Sequence, residues 1–196
     1  MAQAGIHGLV GMAVRRVLPG RPWLMLGVLL GNLFPDTDNL LVAVATVGGG
    51  STEGLHRTFT HSLFFAVAIL AACWIVGQAA RNPRWVNLGL GLGLGILLHT
   101  LLDLLLWFNG VVVLWPIPSW VNFWEGFAAP PWLDKFLLTA EFLFLALYFW
   151  GLDWFSRKRG TDGEYRKTLR IWIILQAILF VAFTILVYVM ESGFMT

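Results

Sequence analysis

The chain has 196 residues, 58% of them hydrophobic and 12% charged, with a formal charge of +2 and a mean hydropathy of +0.75. Soluble domains carry about twice that charged fraction, so the composition speaks against a soluble globular enzyme. The basic residues stand in short clusters between apolar runs, which is a membrane pattern and not a nucleic-acid footprint.

Residues 4–18 are small and apolar with a basic end, enough for a tilted or half-inserted helix. No basic residue precedes that run, so it reads as part of the fold and not as a cleavable signal peptide. Pro19-Gly20-Arg21-Pro22 is a turn. The next apolar run, 23–47, is interrupted by Pro35-Asp36-Thr37-Asp38-Asn39. Proline removes a backbone donor and clashes with the preceding turn, so a broken helix is expected there. At membrane depth such a break is tolerated only against protein or a wet cavity. A Gly-Ser loop, 48–51, leads into His56-Arg57-Thr58-Phe59-Thr60-His61-Ser62, where Thr58 or Thr60 is expected to cap the following helix.

Residues 62–80 and 85–108 read as an antiparallel helix pair joined by Arg81-Asn82-Pro83-Arg84. Cys73, the chain's single cysteine, lies in the first of them, which leaves neither an intramolecular disulfide nor a thiolate metal site. Gly89, Gly91, Gly93 and Gly95 on the second helix predict close helix packing. Residues 109–135 read as a long loop rich in Trp and Pro, suited to a headgroup-level belt. Two further spans follow, 136–155 and 170–190, separated by a polar basic loop. The expected architecture is a single membrane-embedded domain, 1–196, all-α, a polytopic helical bundle of five to six segments with a broken second helix.

Eleven of the thirteen Lys and Arg residues fall near Arg15–Arg21, Arg81–Arg84 and Arg157–Arg170. Alternating spans put all three clusters on the cytoplasmic side and both termini outside. At 1.5 Å per residue, Asp36, Asp38, His61, His99 and Asp103 then lie roughly 22–30 Å from the nearest basic cluster. His7 is shallower, and Glu141 follows soon after Lys135 in a span that enters from outside. The polar groups therefore converge in the outer half of the membrane.

A carboxylate in mid-membrane costs about 2.5–3.5 kcal/mol on insertion scales, and only Arg57 and Lys135 are available to Asp36, Asp38, Asp103 and Glu141 on that side. Divalent cations held by carboxylates and neutral imidazoles would supply the missing charge. His99 and Asp103, four apart, share a helix face. Alone they read more readily as a structural hydrogen bond, while Asp36 and Asp38 can also be a helix-breaking cap and Glu141 a buried hydrogen-bond partner. Together with His7, His56 and His61 they make eight candidate ligands, more than one zinc needs, so two or three metal ions are expected.

The combination of Phe34-Pro35-Asp36-Thr37-Asp38, His56 to Ser62, His99-Thr100-Leu101-Leu102-Asp103, Gly110 and Leu114-Trp115-Pro116, with His7-Gly8 ahead of it, resembles the YdjM-like family of membrane-bound, predicted metal-dependent hydrolases. The resemblance covers about the first 120 residues. That family is distantly similar to zinc-dependent phospholipase C and P1 nuclease, which implies an all-α fold and metal-dependent hydrolysis of a phosphoester. The ligands it implies are His7, Asp36 or Asp38, His56, His61, His99 and Asp103. Two positions depart from the pattern. Asn39 stands where the family often has histidine, and Trp107-Phe108-Asn109-Gly110 replaces a glycine-rich turn.

The expected activity is hydrolysis of a phospholipid or isoprenoid phosphate by metal-activated water, with two or three Zn2+ (or Mn2+) ions in an extracytoplasmic site of a prokaryotic inner membrane. Asp38 or Glu141 would take the proton and Arg57 would clamp the phosphate, a headgroup contact being the plainer reading of Arg57. The expected partners are membrane lipid and other membrane proteins, with no nucleic acid. The alternative is an accessory subunit of a larger membrane complex that keeps the fold without turnover. Pigment ligation and transport are weaker readings, because the histidines cluster with carboxylates and there is no inverted-repeat signal.

Overall fold

The computed structural model describes residues 4–128, 130–158 and part of 170–185. The chain falls into two compact units, one comprising Val10–Ala128 and the other Gln3–Leu9 with Ala129–Thr196. Its helices are α1 (Ala4–Ala13), α2 (Leu24–Leu33), α3 (Asn39–Val47), α4 (Leu63–Ala79), α5 (Pro83–Leu106) and α6 (Pro131–Lys158). The described residues of the last expected span, 170–190, are helical, and the rest of that segment lies outside the described residues.

In the first unit α5 packs against both α2 and α4, and glycine decides how closely. Gly91 and Gly95 lie four apart on one stripe of α5 and meet Gly27 and Gly31 of α2. A Cβ at Gly91 would fall on the Leu24 carbonyl oxygen, and one at Gly31 on that of Leu92. Gly89 turns to α4, where a Cβ would lie 2.5 Å from that of Cys73. The four glycines thus serve two interfaces, as small residues do in membrane bundles.

The same α5 stripe continues through His99 to Asp103, both buried, while Leu90, Leu97, Leu101 and Leu105 on other faces are exposed. Polar inside and apolar outside is the inverse of a water-soluble helix and fits a lipid solvent. At 24 residues, or about 36 Å, α5 is long enough to cross a bilayer. Among the described residues it is the one helix that meets both the length and the hydropathy of a crossing.

The expected break in the second helix is present. α2 ends at Leu33, a 3-10 turn covers Pro35–Asp38, and α3 resumes at Asn39. Two expectations need correction. Ser62, not Thr58 or Thr60, caps α4, its hydroxyl accepting from the Phe65 amide at 3.1 Å. Both threonines are drawn elsewhere, Thr58 to the Gly54 carbonyl and Thr60 to Asp38. Nor is 109–135 one long loop. It holds an antiparallel pair, β1 (Val111–Val112) with β2 (Trp120–Val121), and α6 already begins at Pro131, where a proline suits a helix start. Strands of two residues are too short to show a period of two in sequence.

Candidate metal centre

Three chain segments of the first unit build the site, and each is placed by a local feature. The 3-10 turn after Pro35 presents Asp36 and Asp38 on different sides. α5 presents His99 and Asp103 on its glycine stripe. Between them the 56–62 loop turns back at Arg57, which adopts the left-handed region at φ 59°. That conformation lets the Arg57 amide donate to Asp38 Oδ2 at 3.1 Å while its carbonyl accepts from Val112 of β1 at 2.9 Å. Leu63 in turn donates to the Val113 carbonyl at 2.8 Å, so the hairpin holds the loop at both ends.

The histidine tautomers follow from their neighbours. His99 Nδ1 lies 2.9 Å from the Asn32 carbonyl oxygen, which can only accept, so Nδ1 carries a proton and Nε2 is the atom turned to the centre. Asn32 sits in the last turn of α2, where carbonyls lose their intrahelical partners, and the glycine contact brings it within reach. His61 is fixed in the same way. The Thr60 hydroxyl donates to Asp38 Oδ2 at 2.9 Å, and its oxygen, 3.0 Å from His61 Nδ1, accepts the ring proton. The Nε2 of His61 is then turned toward His99 and Asp103.

The Nε2 atoms of His61 and His99 face each other at 3.2 Å. Asp103 Oδ2 lies 3.3 Å from His61 Nε2 and 3.8 Å from His99 Nε2, and Asp36 Oδ1 lies 3.7 Å from His99 Nε2. Imidazole nitrogens and carboxylate oxygens that can each ligate a metal thus lie 3.2–3.8 Å apart, and Asp36, His61 and His99 offer ligand atoms close enough to share one ion. A zinc ion with bonds of about 2.0–2.1 Å separates its tetrahedral ligands by roughly 3.3–3.4 Å, which the observed spacings bracket. His61, His99 and Asp103 are essentially inaccessible to solvent. The donor set therefore fits a zinc-sized dication, and the backbone carbonyl behind His99 is the usual outer support of a metal-ligating histidine.

Asp36, His61 and His99 form one group that can hold an ion, and Asp38, His56 and His61 form a second. In the second, the Asp38 carboxylate already accepts from His56 Nδ1 at 2.7 Å, from the Arg57 amide and from Thr60. The Arg57 side chain is buried beside the centre, its Nε 3.4 Å from Asp103 Oδ2 and its guanidinium 5.9 Å from the Trp107 ring. Its Nη1 makes no hydrogen bond among the described residues.

Six of the sequence-predicted residues, Asp36, Asp38, His56, His61, His99 and Asp103, thus come together around Arg57. His7 on α1 and Glu141 on α6 belong to the second unit, where Glu141 Oε1 accepts the Gly5 amide at 2.8 Å near the start of α1. The sequence reading missed Asn32, which acts through its backbone, and the true roles of Thr60 and Thr100. The Thr100 hydroxyl donates to the His61 carbonyl at 2.9 Å, and its position beside His99 in a polar pair was the available signal. Asn39, the departure from the family pattern, donates from Nδ2 to the Asp36 carbonyl at 3.0 Å and steadies the 3-10 turn.

Residues 1–193 match the family described as YdjM inner membrane protein. Over 132 residues the chain is 37% identical to the inner membrane protein YbcI of Escherichia coli (strain K12), covering 66% of this chain and 71% of that protein. No solved structure matches the chain.

Proposed function

Because the chain belongs to the YdjM family of inner membrane proteins, we propose that it is a membrane-embedded, metal-dependent hydrolase acting on a phosphoester, with a phospholipid or isoprenoid phosphate as substrate. The observation that supports this reading is the approach of two imidazole nitrogens to 3.2 Å among the carboxylates of Asp36 and Asp103, with an arginine beside them. On this reading the bundle crosses the membrane five to six times and the centre lies in its outer half.

Asp36, His61, His99 and Asp103 are the residues that would hold the ion. A divalent cation bound there supplies Lewis acidity and lowers the pKa of a bound water toward neutrality. Asp38, engaged by three donors, orients His56, Thr60 and the Arg57 backbone. We assign it as a positioning residue, and with it the second group as the support of the first. The first unit's donors then account for one ion. Arg57 holds a fixed positive charge against the centre, where it can bind a phosphate oxygen and the charge that develops in the transition state.

The test is elemental analysis of the protein purified in mild detergent, followed by phosphate release from a panel of lipid phosphates with Zn2+ or Mn2+. About one divalent ion per chain is expected in the first unit's site, with His99→Ala and Asp103→Ala losing both metal and turnover. Purified chain free of divalent ions, even after Zn2+ is supplied, would end the proposal. Bound metal without turnover, together with co-purifying chains in native mass spectrometry, would favour the accessory-subunit reading.

A further inference from the structure

The hairpin after α5 has a surface that water alone does not account for. In residues 107–128 the single charged side chain is Glu125, and Trp115, Ile117, Trp120, Phe123, Trp124 and Phe127 are all exposed. Scattered exposed apolar residues are ordinary, but a contiguous aromatic patch on a short hairpin marks an interaction surface. The patch continues the lipid-facing side of α5. Leu101 and Leu105 are exposed on the last two turns of that helix, and the Trp124 indole N–H donates to the Leu105 carbonyl at 3.2 Å. Asn122 is tied to the Phe108 carbonyl at 3.2 Å, so the hairpin is fixed to the end of the helix. The Gly48–Gly54 loop offers a contrast, since it is equally exposed but made of Gly, Ser, Thr and Glu.

We propose that this hairpin lies in the headgroup layer of the bilayer, its indole and phenyl rings seated at the boundary between lipid and water. Tryptophan suits that level, with an apolar body and one polar tip, and is enriched there in membrane proteins. The occupant of the patch is the bilayer interface, because the patch is continuous with the exposed apolar flank of the one described helix built to cross it. A consequence, which rests on the hydrolase reading above, concerns the route of the substrate. Trp107 lies under Arg57, Phe59 meets Trp115 at 6.1 Å, and β1 binds the Arg57 carbonyl. The headgroup layer therefore adjoins the metal centre, and a lipid phosphate would reach Arg57 from the membrane surface without leaving its leaflet.

The experiment uses the full chain with Cys73→Ala, reconstituted in phosphatidylcholine vesicles. It is labelled with an environment-sensitive dye at Phe127→Cys and, in a second protein, at Trp120→Cys. Quenching is measured with nitroxide lipids bearing the spin label shallow or deep in the chain, and with aqueous iodide. At both positions the shallow label is expected to quench at least twice as strongly as the deep one, with iodide quenching reduced at least threefold relative to a label at Ser51→Cys. Iodide quenching equal to that at Ser51→Cys would place the hairpin in water. Protection from all quenchers would place it against protein, and stronger quenching by the deep label would bury it in hydrocarbon. Each of these outcomes overturns the proposal, and none depends on whether the metal centre is active.

Discussion

Thr60→Val separates a designed metal centre from a buried polar cluster that merely satisfies itself. The substitution keeps shape and removes one hydroxyl, which is buried and lies 2.9 Å from Asp38 Oδ2 and 3.0 Å from His61 Nδ1. Two bonds are lost. Asp38 loses one of three donors, and His61 Nδ1 loses the oxygen that held its proton, its next neighbour being Asp38 Oδ2 at 3.5 Å. A hydrogen bond to a charged group contributes about 1.5–3 kcal/mol. Outer-shell substitutions at metal sites weaken binding about 10–100-fold, which at about 1.4 kcal/mol per tenfold is roughly 1.4–2.8 kcal/mol. Zinc affinity, measured by competition with a chromophoric chelator in detergent, should therefore fall by one to two orders of magnitude. Thermal unfolding of the metal-free protein should change less, because Asp38 keeps His56 and the Arg57 amide. Zinc affinity within about twofold of the parent, in a variant that still folds, would refute the assignment of Thr60 and His61 as a ligand and its support.

Chelator treatment should lower the unfolding temperature in detergent, since a ligand at 100 times its Kd stabilises by about 2.7 kcal/mol, and His99→Ala should show no such response. Gly95→Ala should cost about 1–3 kcal/mol or more in a denaturant titration and weaken zinc binding, because its Cβ would lie 2.6 Å from the Asn32 amide. Gly93→Ala, whose nearest neighbour would be the Ala66 carbonyl at 3.4 Å, should be neutral or gain up to about 1 kcal/mol. Arg57→Gln should retain metal by elemental analysis and lose at least about 100-fold in phosphate release, the order seen when one preorganised donor is removed. Glu141→Gln keeps an oxygen for the Gly5 amide and should leave turnover and stability unchanged, whereas Glu141→Ala should lower the unfolding temperature.

What could be read from the sequence was what side-chain chemistry and spacing carry. Pro35 announced the break in the second helix, and the 91/95 and 89/93 glycine spacings announced close packing. The scarcity of polar residues in oil marked His7, Asp36, Asp38, His56, His61, His99, Asp103 and Glu141 as one set, and six of these belong to the first unit. What could not be read was whatever depends on the backbone. Nothing in the letter N at position 32 says that its carbonyl, not its amide side chain, fixes His99. Thr60 looked like a helix cap by residue type, but Ser62, two residues on, holds that role. The left-handed turn at Arg57 is invisible in composition, since arginine has no preference for that region. A ligand set can thus be recognised while the division between residues that bind and residues that hold them in place stays hidden.

That division has a physical origin in the helix break. A continuous second helix would engage the Asn32 carbonyl with the amide four residues on, and His99 would have to share that acceptor. Either ring nitrogen of His99 could then carry the hydrogen, and the lone pair facing His61 would be lost in one tautomer. α2 ends at Leu33, before the Asp36 amide can take that carbonyl in an α-helical bond, and the 3-10 turn that follows delivers Asp36 toward His99 and Asp38 toward His56. Gly31 and Gly95 are required for a related reason, because a methyl group at either would push α2 off α5 by more than the 2.9 Å hydrogen bond tolerates. Proline and glycine, which bear no ligand atom, therefore decide whether His99 can serve as one.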